Sequence, residues 1–334
     1  MGGGSWTTEV YREHEDLRAR TGRSAFDYSD HTKRVPKDEW KAHPTLDPLG
    51  VRVRESRDSL DHPESLAIAV HFDVTGSMST LPTIFQKKLG ELNGLLQRKG
   101  YVEHPQIMFG AIGDAYTDQV PLQVGQFESD NRMDEDLGKI FLEANGGGQK
   151  KESYDLALYF MARHTEIDCW EKRGQKGYLF IVGDELAYPK VIRSQVRKVI
   201  GDILREDISL EKIVEEVKSR YELFFVIPSS ISSYAGDIEV LSFWKRLLGE
   251  NVLKLDDPEA ICEVIAVQIG LCEGTTDLDA SDRHLKELGV STSTRLAVRK
   301  AVNANPNTRS LVVKGSDRLP GLRDSTDEPR TKRL

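Results

Sequence analysis

The stretch Ile68-Ala69-Val70-His71-Phe72-Asp73-Val74-Thr75-Gly76-Ser77-Met78 constrains the fold more than any other part of the chain. It is an apolar run that stops on an aspartate and is followed by two hydroxyl residues at alternate positions. An apolar run of strand length, bounded by polar residues, fits a strand covered on both faces, as in a parallel sheet. Parallel strands carry their ligand sites at their C-terminal ends. Asp73, Thr75 and Ser77 are therefore expected on a loop at one edge of a sheet, offering one carboxylate and two hydroxyls. Oxygen-only donors of this kind suit a hard cation such as Mg²⁺, with Mn²⁺ or Ca²⁺ as alternatives.

The chain beyond this stretch alternates strands with helices. Leu66–Asp73 reads as the first strand. Ser79 and Thr80 cap a helix with Pro82 at its first position, which carries Phe85, Leu89, Leu92 and Leu96 to a stop at Gly100. Gln106–Ile112 is a second strand ending in Gly113-Asp114, and Gln119–Phe127 a third, paired with it through a short turn. Asp130–Glu143 reads as helical. After the loop Asn145-Gly146-Gly147-Gly148-Gln149, a helix opens at Glu152 or Ser153 with Tyr154, Ala157, Leu158 and Met161 on one face. Gly177–Val182 is a strand ending in Gly183-Asp184-Glu185. Further segments are a helix over 210–219, a strand Leu223–Ile227, a helix Ile238–Leu248, a short strand Val252–Leu255 and a closing helix Pro258–Leu271. Such alternation predicts an α/β fold, a largely parallel sheet with helices on both faces.

Around this domain, over residues 65–272, lie an extended N-terminal arm (1–64), a short helical extension (273–302) and a polar tail (303–334). The arm carries Trp6, Tyr11, Phe26, Tyr28 and Trp40, more aromatics than a disordered segment usually holds, so it is expected to pack on the domain or on a partner. The tail is poor in apolar residues and is expected to be disordered. A net charge of −8 argues against non-specific nucleic-acid binding. Three cysteines without a CxxC point to reduced thiols and a cytoplasmic setting. No apolar run reaches the roughly 20 residues needed to span a bilayer. The first residues lack a signal-peptide core, and Trp6 breaks the myristoylation pattern.

The parallel arrangement gives Asp73 possible companions. Asp184 ends a later strand as Asp73 ends the first, so both carboxylates belong at the same edge. Asp114 joins them if the second strand lies parallel beside the first; otherwise it is a turn aspartate. Glu185 is expected to point elsewhere. His71 reads as a core histidine, and Gly146-Gly147-Gly148 as a flexible loop, since the phosphate-binding pattern with Lys and a hydroxyl is missing.

With these residues in view, Asp73-Val74-Thr75-Gly76-Ser77-Met78 resembles the metal-ion-dependent adhesion site of von Willebrand factor A domains, whose pattern is Asp-x-Ser-x-Ser. The order of elements over 64–272 is similar too, and the resemblance implies that family's fold, an open, mostly parallel six-stranded sheet with helices on both faces. The resemblance implies that Asp73 and Ser77 match the first aspartate and second serine, Thr75 stands where serine is usual, and Asp184 matches the third-loop aspartate. The second loop departs: where the family places a threonine after Gly-Gly, this chain reads Gly148-Gln149-Lys150-Lys151-Glu152-Ser153, so Ser153 or Glu152 is the substitute. The implied function is non-catalytic. A soluble module binds a protein partner whose acidic residue completes the coordination of Mg²⁺, and intracellular members often work beside AAA+ ATPases. Two rivals stay open. Asp-Val-Thr-Gly-Ser also resembles the aspartyl-phosphate motif of haloacid-dehalogenase-type phosphotransferases, with Asp73 as nucleophile and Lys172 or Lys176 as the accessory lysine. The other is a structural protein with a vestigial site.

Overall fold

The computed structural model describes residues 4–144, 150–234 and 236–303. Six strands form the central sheet: β1 (Leu66–Asp73), β2 (Pro105–Ile112), β3 (Leu122–Val124), β4 (Gly177–Val182), β5 (Tyr221–Pro228) and β6 (Val252–Leu255). Their order is β6-β5-β4-β1-β2-β3, and every pairing is parallel except β2 with β3. The expected α/β architecture is the one found. All eight residues of β1 are buried, as the unbroken apolar run requires of a central strand.

Strand alternation sorts the two faces. Phe72 and Phe109 point to one side and meet Phe85 of the helix Leu81–Lys87, with ring centroids 4.9 to 6.2 Å apart. Phe225 of β5 points to the other side, stacked on Trp244 of the helix Ile238–Leu248 at 3.8 Å and edge-on to Tyr154 of the helix Tyr154–Arg163 at 5.5 Å. His71 shares this second face. It is fully buried, as expected, and sits against Gly110, where a Cβ would lie 2.9 Å from the imidazole ring.

Three elements differ from expectation, each for a local reason. The helix after the motif is not continuous to Gly100. It breaks at Lys88, leaving helical pieces at Leu81–Lys87, Leu89–Asn93 and Gly94–Arg98. The Lys88 side chain turns to Glu263, and Tyr11 Oη of the arm donates to the carbonyl oxygens of Gln86 (2.8 Å) and Lys87 (3.3 Å) at the break. The third strand is three residues rather than nine. The Gln119 and Val120 amides donate to the Glu143 carboxylate instead of to a ladder. For the same reason the segment 130–143 is helical only over Arg132–Gly138, since Glu143 is turned inward.

The arm lies on the domain. Its helix Thr8–Thr21 is capped by Thr7 Oγ1 and closed by Gly22 in the left-handed region at φ +64°. Tyr11, Phe26 and Leu46 enter the core, and Arg54–Ser56 pairs in parallel with Thr165–Ile167. Beyond the closing helix Ile261–Glu273, two helices, Leu278–Glu287 and Thr292–Ala301, place Leu285, Val298 and Ala301 in the same core. The tail from residue 304 lies outside the described residues. No helix among the described residues is long and apolar enough to cross a membrane.

Candidate metal centre

Three parallel strands bring the site together. Asp73 ends β1 in register with Ile112, the last residue of β2, while Phe72 is in register with Val182, the last of β4. Gly113-Asp114 and Gly183-Asp184-Glu185 therefore emerge beside Asp73 at one sheet edge.

The first loop folds back on its own aspartate. Asp73 Oδ1 accepts from the Thr75 amide at 2.9 Å and from Thr75 Oγ1 at 2.6 Å. Such side-chain to backbone bonds are the local preference of Asp before a turn. The chain then enters a 3-10 turn over Gly76–Thr80. Ser77 lies in this turn by its backbone; its side chain is not among the described parts.

Gly146, Gly147, Gly148 and Gln149 of the second loop lie outside the described residues. The chain resumes at Lys150, whose ammonium is paired with Asp237 and Glu239. Lys151 and Glu152 then pair in parallel with Leu186 and Ala187, so the helix opens at Tyr154 rather than at Glu152 or Ser153. Ser153 is fully buried and braces two loops. Its amide donates to Gly113 O at 3.1 Å, and its Oγ accepts from the Ala115 amide at 2.9 Å. Glu152 is 1% exposed, and its Oε2 has no hydrogen-bond partner among the described residues.

Sequence reasoning did not find Tyr154 as a site residue. Its hydroxyl donates to Asp73 Oδ2 at 2.6 Å, and both residues are completely buried. The signal was present, because a buried tyrosine needs a partner for its hydroxyl. Gly183 makes the contact possible, since a Cβ there would collide with Tyr154 Oη.

The third loop supplies two carboxylates. Asp184 Oδ2 accepts from Ser232 Oγ at 2.8 Å and the Ser233 amide at 3.0 Å, which ties it to the loop after β5. Glu185 does not point elsewhere: Asp73, Asp184 and Asp114 are its charged neighbours. The structure holds its backbone by a bond from Trp244 Nε1 to the Glu185 carbonyl, a tertiary contact with no local signature. Asp114 is buried at the same edge, since β2 is indeed parallel to β1, and it also organises a turn. It accepts from the Tyr116 amide, Thr117 Oγ1 and the Tyr188 hydroxyl.

Burial pushes the carboxyls up, and their mutual repulsion adds to it. Burial raises Asp73 while Thr75 and Tyr154 oppose the rise and Asp184 adds to it. Burial, then Asp73 and Glu185, push Glu152 far above the carboxylate range. Burial with Asp73 and Asp184 brings Glu185 up to about 8. Asp184 is raised chiefly by burial, against its bonds from Ser232 and Ser233.

Among the described residues, no three Asp, Glu, His or Cys side chains converge closely enough to form a ready cage. The donor chemistry nevertheless fits a hard cation: oxygen donors from three loops, like charges crowded out of water, and one buried carboxylate oxygen left without a partner. Asp73, Thr75, Asp184, Glu152 and Glu185 are the residues that would hold it.

No family model matches the chain, and no curated protein matches it in sequence. Solved structures similar to it include the pilus adhesin SpaC of Lactobacillus rhamnosus GG in its open conformation, at 9% identity and a TM-score of 0.45, over 65% of this chain and 31% of that one. Proximal thread matrix protein 1 from the mussel byssus is similar at 8% identity and a TM-score of 0.40, over 61% of this chain and 47% of that one. The chain thus spans between about a third and a half of the length of these proteins, and neither likeness bears on the site.

Proposed function

We propose that this chain is a von Willebrand factor A-like module that binds a protein partner through a Mg²⁺-type ion at the Asp73 edge of the sheet. One observation carries the reading: Asp73 and Asp184, from strands distant in sequence, meet at one sheet edge, with the Thr75 hydroxyl beside Asp73 and buried acidic neighbours whose charges raise one another's pKa. A bound divalent ion would supply the positive charge that this cluster lacks and an open position for an acidic side chain of the partner. This chain's own residues do the rest. Thr75 and Tyr154 orient the two oxygens of Asp73, and Ser232 fixes Asp184. The cytoplasmic setting and an AAA+ ATPase as partner belong to this proposal. They rest on three buried cysteines, none of them in a disulfide, and on the family resemblance respectively.

The phosphotransferase alternative draws less support. Lys172 pairs with Asp58 and Asp168, and Lys176 pairs with Glu222 just before β4 begins, so both are committed at the N-terminal end of the strand whose C-terminal end carries Asp184.

The test is thermal unfolding of the full chain with millimolar Mg²⁺ or Mn²⁺ and with EDTA, beside a pull-down using wild type and Asp73→Ala. Metal should raise the Tm of wild type alone, because a ligand that binds only the folded state adds about 2.7 kcal/mol at a hundredfold excess over its Kd. EDTA and Asp73→Ala should both release the partner. No Tm shift with either metal makes the site vestigial, and hydrolysis of a generic phosphate ester that Asp73→Asn abolishes moves the chain to the phosphotransferases.

A further inference from the structure

We infer that Glu152 is the ligand contributed by the second loop, so that a carboxylate stands where the resemblance leads one to expect a hydroxyl. This rests on the reading of the site as a metal centre and deepens it. Two adjacent residues compete for the role, and the structure treats them differently.

Ser153 is already employed. Its amide and Oγ tie the second loop to Gly113 and Ala115. Moving that hydroxyl onto an ion would strip the Ala115 amide of its acceptor. Glu152 keeps one oxygen uncommitted, although its carboxyl also meets that of Glu185. Its backbone is fixed on one side by the pairing with Ala187 and on the other by the Ser153 bond to Gly113, yet Oε2 is buried with no partner among the described residues. A buried carboxylate oxygen is ordinarily hydrogen-bonded or on a cation, because leaving it bare is costly. Its carboxyl shares a hydrogen bond with that of Glu185, with Asp73 and Asp114 as further charged neighbours, so the side chain lies at the acidic edge.

The consequence concerns charge. Hydroxyls leave a dication largely unneutralised, which is what makes an outside acid valuable to it. A carboxylate from the second loop, added to those of Asp73, Asp184 and Glu185 at the same edge, would supply that charge from within the chain once an ion draws them together. Metal binding then does not wait for the partner. The same carboxyl is a liability when no metal is present, because it sits buried among other acids, where ionising it is costly and keeping it protonated leaves a polar group poorly matched to its surroundings.

The experiment uses the full chain and MnCl₂ alone as the probe. Isothermal titration gives the Kd, and thermal unfolding in EDTA gives the stability without metal, for wild type, Glu152→Gln, Ser153→Ala and Asp73→Asn. Glu152→Gln is expected to weaken Mn²⁺ binding about tenfold or more while raising the Tm in EDTA. Ser153→Ala is expected to lower the Tm and leave the Kd within about threefold, as loss of a brace rather than a ligand would. An unchanged Kd in Glu152→Gln with binding lost in Asp73→Asn overturns the assignment of Glu152 and leaves the metal centre standing. Absence of Mn²⁺ binding by wild type overturns both.

Discussion

Tyr154 Oη donates to Asp73 Oδ2 at 2.6 Å, both side chains being buried, and Gly183 is the residue whose missing Cβ leaves room for it. Three segments distant in sequence thus fix one carboxylate: Thr75 holds its first oxygen, Tyr154 its second, and Gly183 the space between. Tyr154→Phe should destabilise the fold by about 1–3 kcal/mol, since it strips a buried carboxylate oxygen of its donor. Gly183→Ala should cost a similar amount through overpacking, because it drives a methyl group into Oη. The two should not add. Phenylalanine removes the atom nearest the new methyl, though the ring carbons beside it stay close, so the double variant should be more stable than the sum of the single costs. Urea unfolding of the four proteins reads this coupling, and strict additivity would mean that Gly183 does not act through Tyr154.

A second relationship lies under the helix that follows the motif. Lys88 Nζ sits 2.5 Å from Glu263 Oε1, whose side chain is completely buried. Lys88 is also the residue at which that helix breaks. Lys88→Ala leaves an uncompensated buried carboxylate and should cost about 3–5 kcal/mol. Replacing both partners by well-packed apolar residues, Lys88→Met with Glu263→Leu, should recover most or all of that loss. Equilibrium unfolding decides it. A double variant no more stable than Lys88→Ala would show that the pair sets the helix break and does more than neutralise itself.

The fold and the first loop were legible because both are local. An unbroken apolar run of eight residues can be satisfied only by cover on both faces, and an aspartate with two hydroxyls at its end declares itself at once. The other residues are placed by contacts that sequence does not spell. Glu185 was expected to point away, and a bond to its carbonyl from Trp244, 59 residues on, belongs to what holds it in place. Tyr154 was visible only as one member of an apolar helix face; that its hydroxyl meets Asp73 depends on the pairing of β1 with β4 and on Gly183. The helix break at Lys88 was hidden for the same reason. Its local spacing is helical, and the partners that settle it, Glu263 and Tyr11, come from opposite ends of the chain.

The clasp between arm and domain gives the last prediction. Arg57 of the arm reaches Asp168 at 2.9 Å and Glu171 at 2.9 Å, while Arg173 returns to Asp58 at 2.7 Å. Burial alone would push both aspartates up. Arg173 and Ser65 instead hold Asp58 below its ordinary value, and Lys172, the Asp58 amide and Arg57 hold Asp168 below its own. For a carboxyl whose pKa is depressed by folding, the stabilisation is complete above the unfolded value, near about 3.9 for aspartate, and is lost as pH falls through the folded value. The clasp should therefore contribute fully at pH 7 and fail on acidification below about pH 4. Asp168→Asn should be less stable than wild type at neutral pH, and the gap should narrow steadily as the wild-type carboxylate is titrated. Tm measured against pH for the two proteins tests the sign directly. A gap that stays constant through the acid range would mean that Asp168 stabilises the arm by packing and hydrogen bonding that survive protonation, not by its charge.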